Sequence, residues 1–244
     1  MAGEQINKKQ IEDLFNAQDV IDFLGLMFPG EPVKWLCLEK DRAGKTHPFG
    51  ETLGTPEGIA DEVIRHNRLG LPIYFQPNVT VAAKEKTKAT YKDVTAVRAL
   101  WVDIDCGADR IDETLARADD FVARGVIPKP TCIVLSGNGI WLWFALASPT
   151  EDKETAKEIN AALFRLFSDK GGDNCADPCW IARLPGTVNI KPGKPMRVAK
   201  LKRTWPRGQE VRYSFEDFQP LLDQIAALRP AEDKPGAQFA DDDG

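Results

Sequence analysis

Histidine is the rarest residue of this 244-residue chain, which contains only His47 and His66. Neither lies near Cys175 and Cys179, so the sequence lacks the spacing of a zinc site built from cysteine and histidine. The five cysteines are odd in number and scattered, which indicates a reduced, cytoplasmic protein rather than a disulfide framework. The chain has no run of 18 apolar residues, so we expect no membrane partner. The N-terminal stretch MAGEQINKKQ lacks the apolar segment of a signal peptide.

Charge is unevenly distributed along the chain. The net charge of −5 argues weakly against a nucleic-acid partner. Residues 181–212, however, carry nine basic side chains and one acid, whereas eight acids lie between residue 213 and the end. Such a basic stretch is typical of a polyanion site, and a solvated loop face is the alternative. Within it, Lys200, Lys202 and Arg203 are the candidate DNA-binding residues. We expect residues 230–244 to form a disordered acidic tail or a linker.

Periodicity and turn residues predict a mixed α+β chain with mostly antiparallel strands. Helical spacing of apolar residues predicts one helix over 8–28, and a Thr cap followed by Pro predicts another over 55–70. Glycine and proline predict a loop over 41–54. The expected strands are 33–40, 71–78, 97–106, 131–137 and 140–148. We expect one domain over 1–229, with an N-terminal module over 1–70 as a further division.

The strand RALWVDIDCG, residues 98–107, carries two carboxylates in an otherwise apolar run. Since alternate residues of a strand share a face, Asp103 and Asp105 are expected to point the same way as Trp101. Leu100, Val102 and Ile104 would then face the core on the other side. Burying two like charges side by side is unfavourable unless something compensates them, and a divalent cation such as Mg²⁺ or Mn²⁺ does so directly. Two solvated aspartates on an exposed edge are the alternative.

Two further segments contain residue types that suit a phosphate-bearing ligand. In VLSGNGIWLWF, the residues 136–139 predict a hairpin turn whose glycines also leave backbone N–H groups accessible to a phosphate. The segment GGDNCADPCWIARLPGTVNIKPG, residues 171–193, supplies acids, an arginine and a lysine, which would suit a metal-bound triphosphate. An ordinary structural turn at Pro185-Gly186 is the alternative for this segment.

These three segments, taken in order, resemble the archaeo-eukaryotic primase superfamily. More narrowly, they resemble the primase-polymerase domains of phage and plasmid replication proteins, over about half of the chain between Pro72 and Arg197. The resemblance implies an RNA-recognition-type, mostly antiparallel sheet flanked by helices, with an additional N-terminal α/β module. It also implies template-directed nucleotidyl transfer in DNA replication, either as primer synthesis or as primer extension.

The resemblance also implies roles for individual residues. Asp103, Asp105 and a third acid, Asp177 with Asp173 in reserve, would bind two Mg²⁺ or Mn²⁺ ions and carry catalysis. The residues expected to contact the nucleotide are Ser136, Gly137, Gly139, Trp141, Arg183 and Lys191. The implied partners are nucleoside triphosphates and a single-stranded DNA template, with a helicase domain or another replication protein as a further candidate.

Two positions depart from the pattern of these relatives. Trp141 stands where the family usually has a histidine that contacts the phosphates of the nucleotide, and Trp180 stands where many relatives have an arginine. The departures leave open a degenerate domain that binds single-stranded DNA or a replication partner through Trp141, Trp143 and Trp180. A metal phosphohydrolase is a third interpretation, but the sequence offers it no identifiable base to activate water.

Overall fold

A computed structural model describes residues 8–40, 46–82, 87–170, 172–173, 175–190 and 195–228 of the chain. The predicted tail over 230–244 and Lys191 lie outside these residues. The α-helices of the described part are α1 Lys8–Leu14, α2 Ala17–Met27, α3 Pro56–Asn67, α4 Ile111–Ala123, α5 Lys153–Phe167 and α6 Gln219–Ala227. None of the described helices has the length and apolar character needed to cross a bilayer.

The strands pair in two main sheets and one short ribbon. The strands are β1 Val33–Lys40, β2 Thr46–Leu53, β3 Ile73–Gln76, β4 Val79–Thr80, β5 Val94–Ile104, β6 Cys132–Leu135, β7 Ile140–Thr150, β8 Gly172–Asp173, β9 Ala182–Arg183, β10 Val188–Asn189, β11 Arg197–Val198 and β12 Lys200–Arg203. The first sheet has the order β2-β1-β3-β9, and the second has the order β12-β6-β7-β5-β4 with β8 also paired to β5. β10 and β11 form the ribbon. Every strand pair is antiparallel, which confirms the predicted α+β class.

One face of the second sheet is covered by α4, α5 and α6. Leu100, Val102 and Ile104 of β5 are buried there in one cluster with Phe121 of α4 and Phe167 of α5. This face of β5 is apolar from Leu100 to Ile104, as the alternation of RALWVDID predicts.

The opposite face of the second sheet packs against α2 and the first sheet. Trp101 and Trp143 belong to this second cluster, and the Trp143 ring centroid lies 5.5 Å from that of Phe75 in β3 and 5.9 Å from that of Phe23 in α2. Aromatic edge and tilted contacts of this kind stabilise the junction between the two sheets. Trp101 and its neighbour Val102 therefore lie on opposite faces of the sheet, as predicted.

Two local predictions are wrong. The helix predicted over 8–28 is two helices, because the side chain of Asn16 accepts a hydrogen bond from the Asp19 N–H and starts α2 afresh. The loop predicted over 41–54 contains β2, which pairs with β1 at the edge of the first sheet. Pro48 is tolerated there because an edge strand does not need every N–H. Gly50 is required because an added Cβ would overlap the carbonyl oxygen of Trp35.

Candidate active site

The carboxylates of the central strand lie where the second sheet leaves the apolar core. Asp103 is half-buried and lies opposite Trp141 in the β5–β7 pairing, whereas Asp105 is exposed and follows the end of β5. Both line a cleft of about 300 Å³ that also includes Tyr74 of the first sheet and Arg183. The prediction that the two acids share one face is consistent with this placement. The face that carries Trp101 thus changes from core to cleft within four residues.

The turn between β6 and β7 forms one edge of the cleft. The N–H and the Oγ of Ser136 both donate to the carbonyl oxygen of Gly139, at 2.9 and 3.2 Å. Gly137 has a φ of 96°, and its carbonyl oxygen accepts a hydrogen bond from the Arg197 guanidinium. Since both Ser136 donors close the turn, this residue shapes the cleft in the described structure rather than offering those groups to a phosphate.

Gly139 is held against the end of the carboxylate strand. A Cβ at this position would overlap the carbonyl oxygen of Ile104 and come within 2.9 Å of the Asp105 Cα. A glycine is needed here because the start of β7 lies directly on the backbone that presents the acids. The predicted hairpin therefore has a second role, which is to set the position of the Asp103–Asp105 segment.

Trp141 is part of the wall of the cleft and also part of the core. Its side chain is 6% exposed, and its ring is stacked on Trp143 with centroids 5.4 Å apart and an interplanar angle of 9°. Trp143 is 1% exposed, so it cannot stack on a base of a bound strand. Trp180 is half-buried on the cleft wall, with the Lys88 Nζ 5.5 Å from its ring centroid. Of the three tryptophans considered as platforms, Trp180 is the most accessible.

Arg183 places a half-buried cation in the cleft. It lies opposite Tyr74 in the β3–β9 pairing, its Nη2 donates to the Tyr74 hydroxyl at 3.3 Å, and its guanidinium lies 4.9 Å from the centre of that ring. Burial lowers the pKa of Arg183, while Tyr74 and the charge of Asp103 act in the opposite direction. Its Nη1 is buried and has no hydrogen-bond partner. Arginine stays protonated even so, and the cleft therefore contains a charged donor that no group of the described structure satisfies.

Asn189 is a cleft residue that the sequence did not single out as a site. It lies on β10, is 8% exposed, and its Oδ1 is buried without a hydrogen-bond partner. Tyr74 and Lys88 are further cleft residues missing from the predicted set. The sequence could have indicated Asn189 by its position in RLPGTVNIK, between the predicted nucleotide-binding residues Arg183 and Lys191.

The third acid differs in position between its two candidates. The Oδ1 of Asp177 accepts from the Cys179 N–H at 3.0 Å, and its carbonyl oxygen accepts from the Trp180 N–H at 2.9 Å, so Asp177 caps a turn. Burial, followed by the hydrogen bond and charge of Asp177, raises the pKa of Cys179 to about 12. Asp173 instead lies directly opposite Asp103 in the β5–β8 register. Among the described side chains, no three of His, Cys, Asp or Glu are grouped to hold a metal alone.

The predicted DNA-binding residues lie on β12, at the far edge of the second sheet. β6 and β7 separate β12 from β5, which is about 14 Å across the sheet. Leu201 packs toward the first sheet, so its exposed neighbours Lys200 and Lys202 lie on the opposite face from the cleft. Arg203 pairs with Asp22 and Glu210, both at 3.0 Å. Arg203 therefore connects β12 to α2 in this structure, and the three residues do not form one surface.

Comparison with known proteins gives a fold but no close relative. No family model matches the sequence, and no curated protein matches it. The AEP domain of the primase-polymerase of cyanophage S-2L is similar in structure, with a TM-score of 0.59 and 16% identity over 86% of this chain and 99% of that one. The primase RepB' has a TM-score of 0.51 and 20% identity, over 86% of this chain and 63% of that one. The catalytic domain of RepB', solved in complex with initiator DNA, has a TM-score of 0.51 and 19% identity, over 86% and 95% of the two chains.

These likenesses confirm the fold that the motifs predicted. The chain has an archaeo-eukaryotic primase-like fold, and the Asp103–Asp105 segment lies at the end of β5 in its second sheet.

Proposed function

We propose that this protein is a template-directed nucleotidyltransferase of the primase-polymerase type, which synthesises or extends primers on single-stranded DNA. The observation that carries the proposal is the cleft at the end of β5. Two carboxylates, Asp103 and Asp105, lie there with a half-buried arginine whose buried Nη1 has no hydrogen-bond partner in the described structure. In a fold shared with primases, an acid pair beside an open guanidinium suits a triphosphate and its divalent cations.

The donor set fits Mg²⁺ or Mn²⁺. Magnesium in proteins is usually held by one or two carboxylates together with the phosphate oxygens of the substrate, so two acids suffice and a complete protein cage is not needed. Asp103 and Asp105 would hold the ions, with the third acid contributing from β8 or from the turn at Asp177. When bound, such ions supply Lewis-acid chemistry, which lowers the pKa of the attacking hydroxyl and neutralises charge on the leaving group.

The reaction requires little covalent work from the protein. The 3′ oxygen of the primer forms a bond to the α-phosphorus, the bond between the α- and β-phosphates breaks, and pyrophosphate leaves. The hydroxyl proton passes to water, which reaches the cleft at the exposed Asp105. The Arg183 Nη1 would donate to a phosphate oxygen, and Tyr74 orients the guanidinium through its hydroxyl and ring.

The experiment is incorporation of labelled nucleotide on a single-stranded template, with and without a primer, in Mn²⁺ and in Mg²⁺. We expect incorporation by the native chain and a fall of about a hundredfold or more in Asp103→Asn and Asp105→Asn, since each removes a charged ligand that is needed in the transition state. Asp22→Asn is the matched control, because Asp22 is ion-paired outside the cleft. Normal incorporation by both cleft variants would overturn the metal assignment.

The third acid is tested by a second matched pair of variants. The register supports Asp173, which lies opposite Asp103, over Asp177, whose carboxylate caps its own turn. We expect Asp173→Asn to lose incorporation and Asp177→Asn to retain it. The reverse result would restore Asp177 as the third ligand.

The degenerate-domain alternative also has a specific observation in its favour. Trp141, which replaces the histidine of related proteins, is stacked on Trp143. Its indole ring is never charged, so it cannot offer a phosphate the positive charge of a protonated histidine. Under this alternative the native chain binds single-stranded DNA, with Trp180 and Lys88 as the accessible contact, and incorporates nothing. The incorporation assay therefore separates the two functions, and a helicase or other replication partner stays a separate prediction.

A further inference from the structure

Two residues that line the same cleft each have a buried polar atom without a hydrogen-bond partner. Within the described residues, four buried side-chain atoms lack a hydrogen-bond partner, and two of these belong to the cleft, Arg183 Nη1 and Asn189 Oδ1. The two residues lie on β9 and β10, one on each side of the Leu184–Thr187 turn. Buried polar groups are nearly always satisfied, so a pair left open in one cleft indicates a ligand that satisfies both.

The two atoms require opposite chemistry. The guanidinium of Arg183 can only donate, whereas the Oδ1 of Asn189 can only accept. A triphosphate at neutral pH offers acceptors and no donor, so it satisfies Arg183 and leaves Asn189 open. The ligand must therefore contain a second part, near its phosphates, that donates a hydrogen bond.

The donors of a nucleotide are the sugar hydroxyls and the N–H groups of the base. A template-directed enzyme has to accept all four bases in turn, and the bases present their N–H groups at different positions, largely on the edge used for pairing. The sugar hydroxyls are the donors that every incoming nucleotide presents in the same place. This step rests on the proposed function, because a cleft that served only one base would not need a common donor.

We infer that Asn189 determines sugar specificity: its Oδ1 accepts a hydrogen bond from a sugar hydroxyl of the incoming nucleotide while Arg183 binds the phosphates. Asn189 is 8% exposed, and β10 is paired with β11, so the side chain is presented from a fixed strand rather than a loose loop. A site built to accept from a hydroxyl discriminates against the analogue that lacks it, because the acceptor is then buried unpaired.

The test is a binding titration of the full chain in Mn²⁺ without template, so that no turnover occurs. The probes are a ribonucleoside triphosphate, its 2′-deoxy and 2′,3′-dideoxy analogues, and inorganic triphosphate. We expect the native chain to bind about tenfold more weakly when one of the two sugar hydroxyls is removed from the nucleotide. The ribo-to-deoxy step identifies the 2′ hydroxyl as the donor, and the deoxy-to-dideoxy step identifies the 3′ hydroxyl.

Asn189→Leu removes the acceptor at similar volume and should bind all three nucleotides alike, with inorganic triphosphate bound as in the native chain. Arg183→Gln is the matched variant, which should weaken all four probes together. Equal native affinity for the three nucleotides would overturn the inference whether or not the Leu variant folds. A uniform loss in Asn189→Leu that includes inorganic triphosphate would also overturn it, since Asn189 would then serve the fold or water around the phosphates.

The outcome also separates this inference from the proposed function. Sugar discrimination without any incorporation would leave the inference standing and overturn the polymerase assignment. Incorporation without discrimination would do the reverse. A native chain that binds none of the three nucleotides would overturn both.

Discussion

Two concavities of the molecule differ in how their charges are satisfied. The cleft at the end of β5 has a volume of about 300 Å³, and a groove between α2 and residues 203–212, here called the α2 groove, has about 470 Å³. In the α2 groove, Asp22 pairs with Arg203 at 3.0 Å and with Arg207 at 2.9 Å. Arg212 donates to the Leu26 carbonyl oxygen at 2.7 Å, near the end of α2.

The smaller concavity is the better candidate site because its polar groups are incomplete. The cations of the α2 groove are matched by acids and by carbonyl groups within the fold, so they stabilise the contact of α2 with β12 and with the segment that follows it. In the cleft, Arg183 and Asn189 each keep a buried atom without a partner. A cation that is paired within the protein stabilises the fold, whereas a cation with a buried donor that lacks a partner indicates a ligand. Volume alone would have selected the α2 groove.

The largest expected difference between the cleft and the α2 groove is in nucleotide incorporation, compared between Gly139→Ala and Gly208→Ala. The Cβ of the first variant would overlap the Ile104 carbonyl, so β7 has to move away from the acids, at a cost of about 1–3 kcal/mol. Gly208 borders the α2 groove with a φ of 80° and nothing within 4 Å of an added Cβ, so its variant costs only backbone strain of about 1–2 kcal/mol. We expect incorporation to be lost in Gly139→Ala and kept in Gly208→Ala, with stability measured by denaturant unfolding. Equal activity in both would show that the hairpin does not position the acids.

A smaller effect is expected on nucleotide affinity from Arg183→Gln and Arg207→Gln. Loss of a charged hydrogen bond to a phosphate should weaken triphosphate binding about 10- to 100-fold in the Arg183 variant. The side chain of Arg207 is 74% exposed, and its variant should leave that affinity unchanged. Titration in Mn²⁺ measures both. If the Arg207 variant loses as much affinity as the Arg183 variant, then the α2 groove also takes part in nucleotide binding.

The third comparison is between the exposed lysines of β12 and Arg203, and it is measured by the salt dependence of single-stranded DNA binding. If Lys200 and Lys202 contact phosphates, the double alanine variant should flatten the plot of log affinity against log salt by about one to two units. Arg203→Ala should reduce stability and leave the slope unchanged, because Arg203 is engaged with Asp22 and Glu210. An unchanged slope in the double variant would mean that the face of the sheet away from the cleft does not meet DNA.

Sequence patterns predicted the parts of the fold that depend on local periodicity. The alternation around Trp101 and Val102 assigned each residue to the correct face, because a strand alternates strictly whatever its partners are. The edge strand β2 was missed, because Pro48 and Gly50 are signals for loops and their tolerance depends on which strand lies beside them.

The same limit applies to the candidate site. Asp103, Asp105 and Arg183 could be named from motifs, and the structure brings them to one cleft. Spacing along the chain favoured Asp177 over Asp173, whereas the β5–β8 register favours Asp173, and register cannot be read from a two-residue strand. The sequence predicted Arg203 as a DNA-binding residue, since its ion-pair partner Asp22 is distant along the chain and the pairing could not be recognised. Whether a charged side chain has a partner depends on the tertiary fold. The sequence therefore could not show that the cations of the α2 groove are paired and that Arg183 in the cleft keeps a donor without a partner.

The smallest expected effect is the pH dependence of the α2 groove, tested with Asp22→Asn. Burial acts to raise the pKa of Asp22, but hydrogen bonds from Gln18 and Arg203 and the charges of Arg203 and Arg207 outweigh it and hold the pKa below its ordinary value. A carboxylate with a lowered pKa in the folded state stabilises the fold above its unfolded pKa, near 3.9, and that stability is lost as the pH falls through the folded value.

Asp22→Asn should therefore lower the free energy of unfolding by about 0.5–1 kcal/mol at pH 7, the range of partly exposed ion pairs. The difference from the native chain should stay constant down to about pH 5 and shrink below pH 4, because protonation of the native Asp22 removes the same charge. Denaturant titrations of both chains at pH 7, 5 and 3 measure this. A difference that is equally large at pH 3 would mean that Asp22 acts through the shape of its hydrogen bonds and not through its charge. Nucleotide incorporation by the variant at pH 7 should match the native chain, since the groups in this groove are satisfied by the fold itself.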